Sequence, residues 1–181
     1  MTRLRMFHED SPQQPLRVTT VYEEICAILA PLAVTLERWN LHPGLAANAP
    51  ADVVLATYQK EIERISAQGQ YKSVDVLSVT AEHHQAAALR TQFLDEHTHD
   101  DNEVRFFVAG SGLFTLHVEE QVYELQCIAG DFIYVPGGMK HWFDMGVVPS
   151  FTVIRFLGSP AGWQAHWTGT SIAKRFVSPS V

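Results

Sequence analysis

The chain has 181 residues, 46% apolar and 18% charged, a make-up that suits one globular domain spanning 1–181 with a core that needs no disulfide. Its two cysteines, Cys26 and Cys127, form no disulfide framework or CxxC pair. No apolar run reaches the roughly 18 residues of a membrane span, and the start MTRLRMFHEDSPQQP is too polar for a signal peptide, so a cytoplasmic protein is expected. With 13 basic against 20 acidic residues, a formal charge of −7 and no basic stripe, the composition argues against nucleic-acid and membrane partners.

Leu4–Phe7 reads as a short strand and His8–Pro15 as turn. Thr20 and Glu23 have the spacing of a capping box. The helix after them would bury Val21, Ile25, Ile28, Leu29 and Leu32 and end near Pro31. Val34–Trp39 alternates like a strand. A loop with Pro43, Gly44 and Pro50 leads to a helix over about Pro50–Gln68, striped by Val54, Tyr58, Ile62 and Ile65, with Gly69 as its C-cap. Val74–Val79 predicts a strand and Ala81–Leu94 a third helix. From residue 103 the texture is β: Glu103–Ala109, Leu113–Glu119, Gln121–Ile128, Phe132–Val135, Lys140–Asp144 and Phe151–Leu157, parted by GSG, AGD, PGG and VPS turns. Such even spacing predicts a small antiparallel β-barrel or jelly roll with helices packed outside, closing on a pocket at one end. The expected division is a mixed helical and strand segment over residues 1–95, a barrel core 96–160 and a tail 161–181.

Three residues stand out by spacing. His97, His99 and Glu103 are separated by two, four and six positions, all even, so on an extended strand they share one face. Arg105 and Phe107 share that parity. The tight turn Val135–Met139 would aim His141 into the same end of the barrel. Three neutral imidazoles and one carboxylate suit a divalent first-row metal such as Fe(II), Ni(II), Co(II), Mn(II) or Zn(II). Six-coordinate geometry would leave two positions for a bidentate oxygen substrate. The remaining histidines read as solvent-facing, loop or core residues.

His97–Gly110 match the first cupin motif, HxHxxxExxxxxxG, and Gly130–His141 the second, GxxxxxPxGxxH. Met145 stands where the second motif usually continues to asparagine, and Thr91 where a glycine usually precedes the first. Within the cupin superfamily the chain resembles the bacterial acireductone dioxygenases. The resemblance rests on HTH (97–99) with EVRFF (103–107), VPGG (135–138) with HWFDMG (141–146), Ile154-Arg155-Phe156, Gly162-Trp163, Thr168-Gly169 and Ile172-Ala173. It implies a dioxygenase of methionine salvage that cleaves 1,2-dihydroxy-3-keto-5-methylthiopentene with O₂. It further implies one Fe(2+) or Ni(2+) per chain. The iron form would give formate and 4-methylthio-2-oxobutanoate; the nickel form would give formate, CO and 3-methylthiopropanoate.

Glu103 is then expected to serve as a ligand, and Arg105 to orient and stabilise the enediolate, its alternative role being a salt bridge. Phe93, Phe107, Phe143 and Trp163 are the expected pocket aromatics. The acidic surface without an apolar stripe points to a monomer. The rival readings are a diketone or quercetin-type dioxygenase, a sugar isomerase using the same ligands, and a non-enzymatic cupin sensor.

Overall fold

The computed structural model describes residues 1–46, 48–69, 71–159 and 162–176; the ends of the expected tail, 161 and 177–181, lie outside them. Among these described residues eleven strands pair, each in antiparallel fashion. They are β1 Arg3–His8, β2 Arg17–Thr19, β3 Thr35–Arg38, β4 Ser73–Thr80, β5 His97–Thr98, β6 Glu103–Val118, β7 Gln121–Ile128, β8 Asp131–Val135, β9 Lys140–Asp144, β10 Ser150–Leu157 and β11 His166–Trp167. The helices are α1 Tyr22–Leu29, α2 Ala51–Thr57, α3 Gln59–Gln68, α4 Ala86–Leu94 and α5 Ile172–Arg175.

One strand organises the rest. Residues 103–109 and 113–119, expected as two strands joined by a GSG turn, form the single 16-residue β6. Its first half pairs with β8 and β10 and its second half with β7 and β9. The strand changes sheets at Gly110, where φ is +71° and a Cβ would stand 1.8 Å from the Ser150 carbonyl oxygen, so only glycine fits. Two sheets result, ordered β3-β8-β6-β10-β4 and β2-β1-β7-β6-β9-β5-β11, and they enclose the barrel. β2, β5 and β11 fell below what the apolar pattern could reveal.

The pleat of β6 sends Phe107 into the interior cluster with Phe114, Leu116, Ile133 and Phe143. Val104, Phe106 and Val108 go to the opposite face, beneath Val54 and Tyr58 of the α2–α3 segment and Ile65 of α3. Both faces are therefore covered, which is why EVRFFVAG reads as an apolar run without clean alternation. α2 and α3 pack outside, as expected, but they are two helices: Tyr58, at φ −102° and ψ 20°, breaks the predicted one. The Tyr58 ring is buried edge-on against Phe106, so tertiary packing overrides the continuous stripe. Gly69 ends α3 extended, at φ −126° and ψ 168°, instead of in the left-handed conformation of a glycine C-cap.

α1 departs from its expected buried stripe at Val21 alone. Ile25 and Leu29 join the interior cluster, as expected, while Val21 is exposed and serves as N-cap without a side-chain hydrogen bond. The capping box does not form: the Thr19 hydroxyl accepts from the Val21 amide and donates to Glu24, one position from each predicted partner. α4 starts at Ala86, because residues 81–85 are spent on turns (the His83 amide bonds the Thr80 carbonyl and the Ala86 amide the His83 carbonyl).

Candidate metal centre

His97 lies on β5 and is the register partner of His141 on β9. His99 follows β5, and Glu103 opens β6. The intervening residues bend, so even spacing along a continuous strand does not deliver Glu103. The loop is shaped instead by the 135–139 turn: the Gly138 amide donates to the His99 carbonyl at 2.8 Å and the Gly137 amide to Asn102 Oδ1 at 3.0 Å. The four residues are buried, and one ligand atom from each lies within 4.8 Å of the others.

The hydrogen bonds behind the rings determine their tautomers. Nδ1 of His97 lies 2.7 Å from the Asp95 carbonyl, that of His99 2.9 Å from Gln164 O and that of His141 2.8 Å from Met139 O. A carbonyl only accepts, so each Nδ1 carries a proton and each neutral ring offers its Nε2 lone pair. Glu103 Oε2 stands 3.1 Å from His99 Nε2 and 2.9 Å from His141 Nε2. Lone pairs at that distance from a carboxylate repel unless a proton or a cation lies between them. One divalent cation satisfies all four groups at once, so the donor set fits a metal.

Titration follows the same logic. Burial, helped by the charge of His141, lowers the His97 pKa to about 4. Burial would lower His99 too, but the bond to Glu103 and its charge outweigh this and raise it. Burial would raise Glu103, yet the charges of Arg105 and His141 and the imidazole hydrogen bonds hold it well below the usual carboxylate range.

Arg105, on the inward face of β6, has Nη2 2.6 Å from Glu103 Oε1. Its Nε and Nη1 are buried without a hydrogen-bond partner among the described residues. Aromatic rings surround the guanidinium, with centroids at 4.9 Å for Phe143, 5.1 Å for Trp163, 5.3 Å for Phe114 and 6.0 Å for Phe93. Arg155, its register partner on β10, forms a fork with Asp75 at 2.8 and 2.6 Å.

A cavity of about 270 Å³ opens over these groups; the four metal-site residues line it with Arg105, Arg155, Phe93, Phe143 and Trp163. Phe107 does not reach it. One pleat deeper than Arg105, its ring is fully buried 6.4 Å from both Phe114 and Phe143, and only Phe143 of the three lines the cavity.

Sequence reasoning gave no role to several neighbours. Glu96 points away from the ligands, where its carboxylate takes hydrogen bonds from Thr168 (2.5 Å) and Thr170 (2.9 Å) and meets His117 Nδ1 at 2.5 Å. It thereby fastens the chain that carries Gln164 and Trp163 over the site. Trp167 stands edge-on to His97 at 5.1 Å. A charged residue beside a ligand strand was the available signal for Glu96; nothing local marked the partners that come from the tail.

A profile of the ARD/ARD' family matches residues 3–165. The chain is 50% identical over 176 residues to the acireductone dioxygenase of Stutzerimonas stutzeri, covering 97% of each chain. It is 49% identical over 176 residues to that of Stenotrophomonas maltophilia, covering 97% of this chain and 95% of that one. The solved acireductone dioxygenase from Bacillus anthracis, with a cadmium ion in its active centre, superposes at TM-score 0.82 and 26% identity, covering 92% of this chain and 98% of that one. The architecture is that of the cupins, and the buried His₃Glu cluster is a divalent-metal site of a metal-dependent dioxygenase. The chain belongs to the ARD/ARD' family, the acireductone dioxygenases.

Proposed function

We propose that this protein cleaves acireductone, 1,2-dihydroxy-3-keto-5-methylthiopentene, with O₂ in methionine salvage, and that it works with Fe(2+) or Ni(2+), one per chain, as a cytoplasmic monomer. The iron form yields formate and 4-methylthio-2-oxobutanoate, the nickel form formate, CO and 3-methylthiopropanoate. The observation that carries this reading is a buried arginine with two unsatisfied donors, Nε and Nη1, beside a His₃Glu cluster under an aromatic-walled cavity. Donors buried without partners are costly and mark a place where a ligand completes them.

His97, His99, Glu103 and His141 would hold the metal. A divalent ion bound there supplies Lewis acidity toward the substrate oxygens and access to O₂ chemistry. Arg105 supplies a permanent positive charge at the cavity floor, and its free Nε–H and Nη1–H groups bind and orient the anionic enediol. Glu103, committed to the cluster and to Arg105, is not available as a general base. The three Nδ1 protons are tied to backbone carbonyls, so the imidazoles keep them while substrate binds. The substrate is therefore taken up as its anion. Phe93, Phe143 and Trp163 exclude water and hold the methylthioalkyl tail through apolar contact.

The test is anaerobic purification with metal analysis, then product identification for iron- and nickel-loaded protein separately. Formate with the ketoacid from one form, and formate with CO from the other, is the expected outcome. No O₂ uptake with acireductone, together with turnover of a sugar phosphate, would assign the site to an isomerase. Failure to retain any divalent metal would favour a sensor.

A further inference from the structure

The cavity has two halves of different origin. The metal-site residues and Arg105 come from the barrel segments at β5, β6 and β9. The facing wall, Leu89, Gln92 and Phe93, comes from α4. That helix is weakly anchored. None of its residues is fully buried, and its N-cap, Gln85, makes no side-chain hydrogen bond. Its apolar side chains are only partly buried: Ala86, Leu89 and Phe93 against the interior cluster, and Leu94 against the cluster of Phe7, Trp142 and Phe176.

One contact stands apart. Arg90 grips Asp144 with Nε at 2.9 Å from Oδ1 and Nη2 at 3.0 Å from Oδ2. Asp144 is 2% exposed, and its Oδ1 also accepts the Gly146 amide at 2.8 Å. Among the described residues this fork is the hydrogen-bonded side-chain tie between α4 and the barrel. A bidentate pair with one buried partner sets distance and orientation together. Asp144 closes β9, three residues after His141 and next to Phe143, so the fork references the α4 wall to the strand that carries a metal-site residue.

The geometry points to Arg90 as a positioning residue for substrate specificity: through Asp144 it fixes the gap between the α4 wall and the metal half of the cavity, and so the length of apolar tail the site accepts. This deepens the proposed function and rests on it. The enediol head is recognised by the barrel, whereas the tail is measured by a helix whose orientation is set by this fork over a partly buried apolar contact. Losing the fork should blur tail discrimination while leaving head binding and metal retention intact.

The experiment uses two acireductones with the same enediol head, one with a methylthioethyl tail and one with a methyl group in its place. Wild-type protein should favour the longer tail. In Arg90→Ala the kcat/KM ratio between the two should fall about tenfold, the scale of one or two methylenes in an apolar pocket, through a rise in KM for the long-tailed substrate. Metal content should not change, and Arg90→Lys should recover part of the ratio.

A second readout needs no turnover: in the metal-free protein, hydrogen exchange of the 86–94 amides should rise in Arg90→Ala while that of β9 stays unchanged. If exchange in α4 stays at the wild-type level, or rises while the ratio holds, the assignment is overturned. Should Arg90→Ala not fold, Arg90→Lys and Arg90→Gln are read by the same two criteria. Wild-type protein that turns over neither acireductone would refute the proposed function, and the exchange result would still decide whether the fork holds the helix.

Discussion

Replacing Arg105 with methionine tests the centre of the functional argument, because the residue is 4% exposed and ringed by aromatics against which an unbranched apolar chain can also pack. The substitution removes two buried donors without partners, Nε and Nη1, at roughly 1–3 kcal/mol each. It also removes the 2.6 Å ion pair to Glu103. Breaking a buried pair from one side costs about 3–5 kcal/mol when the remaining charge is left alone, but a bound dication compensates Glu103. The gain from losing the two donors, about 2–6 kcal/mol together, offsets a pair-breaking cost that the dication already reduces, so metal-loaded Arg105→Met should fall no more than about 2 kcal/mol below wild type, at roughly 2–4 °C in Tm per kcal/mol for a chain of this size. Catalysis has no such compensation. Without donors for the enediolate, kcat/KM should fall about 10²–10³-fold, or roughly 2.7–4 kcal/mol of transition-state stabilisation. Differential scanning calorimetry, metal analysis and O₂ uptake on one preparation supply all three readouts. A folded, metal-loaded Arg105→Met enzyme with kcat/KM within threefold of wild type would refute the reasoning.

Metal retention should weaken in acid in a defined order. A proton on Nε2 competes with the metal, and His99 has its pKa raised above 6.5 by Glu103, so apparent affinity should fall about tenfold per pH unit once the pH drops below that value. His97, lowered to about 4, keeps its lone pair over that range and adds its own loss only near pH 4; affinity constant from pH 7 to 5 in a chelator competition would contradict this. At the sheet crossing, Gly110→Ala places a Cβ in backbone with φ +71° and 1.8 Å from Ser150 O. The left-handed conformation alone costs about 1–2 kcal/mol, and β10 must shift as well, so Tm should drop by at least 4 °C; a variant melting with wild type would mean that the crossing tolerates a side chain.

What local sequence determined was chemical identity. HTH, Glu103 and the PGG turn before His141 specify a hard–soft borderline donor set, because ligand type and short spacing are properties of a few neighbouring residues. Arg105 follows from the two-residue period of one strand. The apolar run of β6 announced a buried strand, though its continuity through GSG could not be read, since glycine serves a turn and a sheet crossing equally well.

Tertiary structure decided everything that depends on partners distant in the chain. The pairing of His97 with His141 comes from strand register, and the tautomers of the three imidazoles come from the carbonyls of Asp95, Met139 and Gln164. The same parity that aims Arg105 into the cavity carries Phe107 one pleat too deep, because the cavity wall there is Phe143, which arrives from β9. Glu96, Arg90 and Asp144 take no individual role from local sequence, because each meets its partner only where the fold buries one end of the contact. Periodicity tells which way a side chain faces; only the closed barrel determines what it meets there.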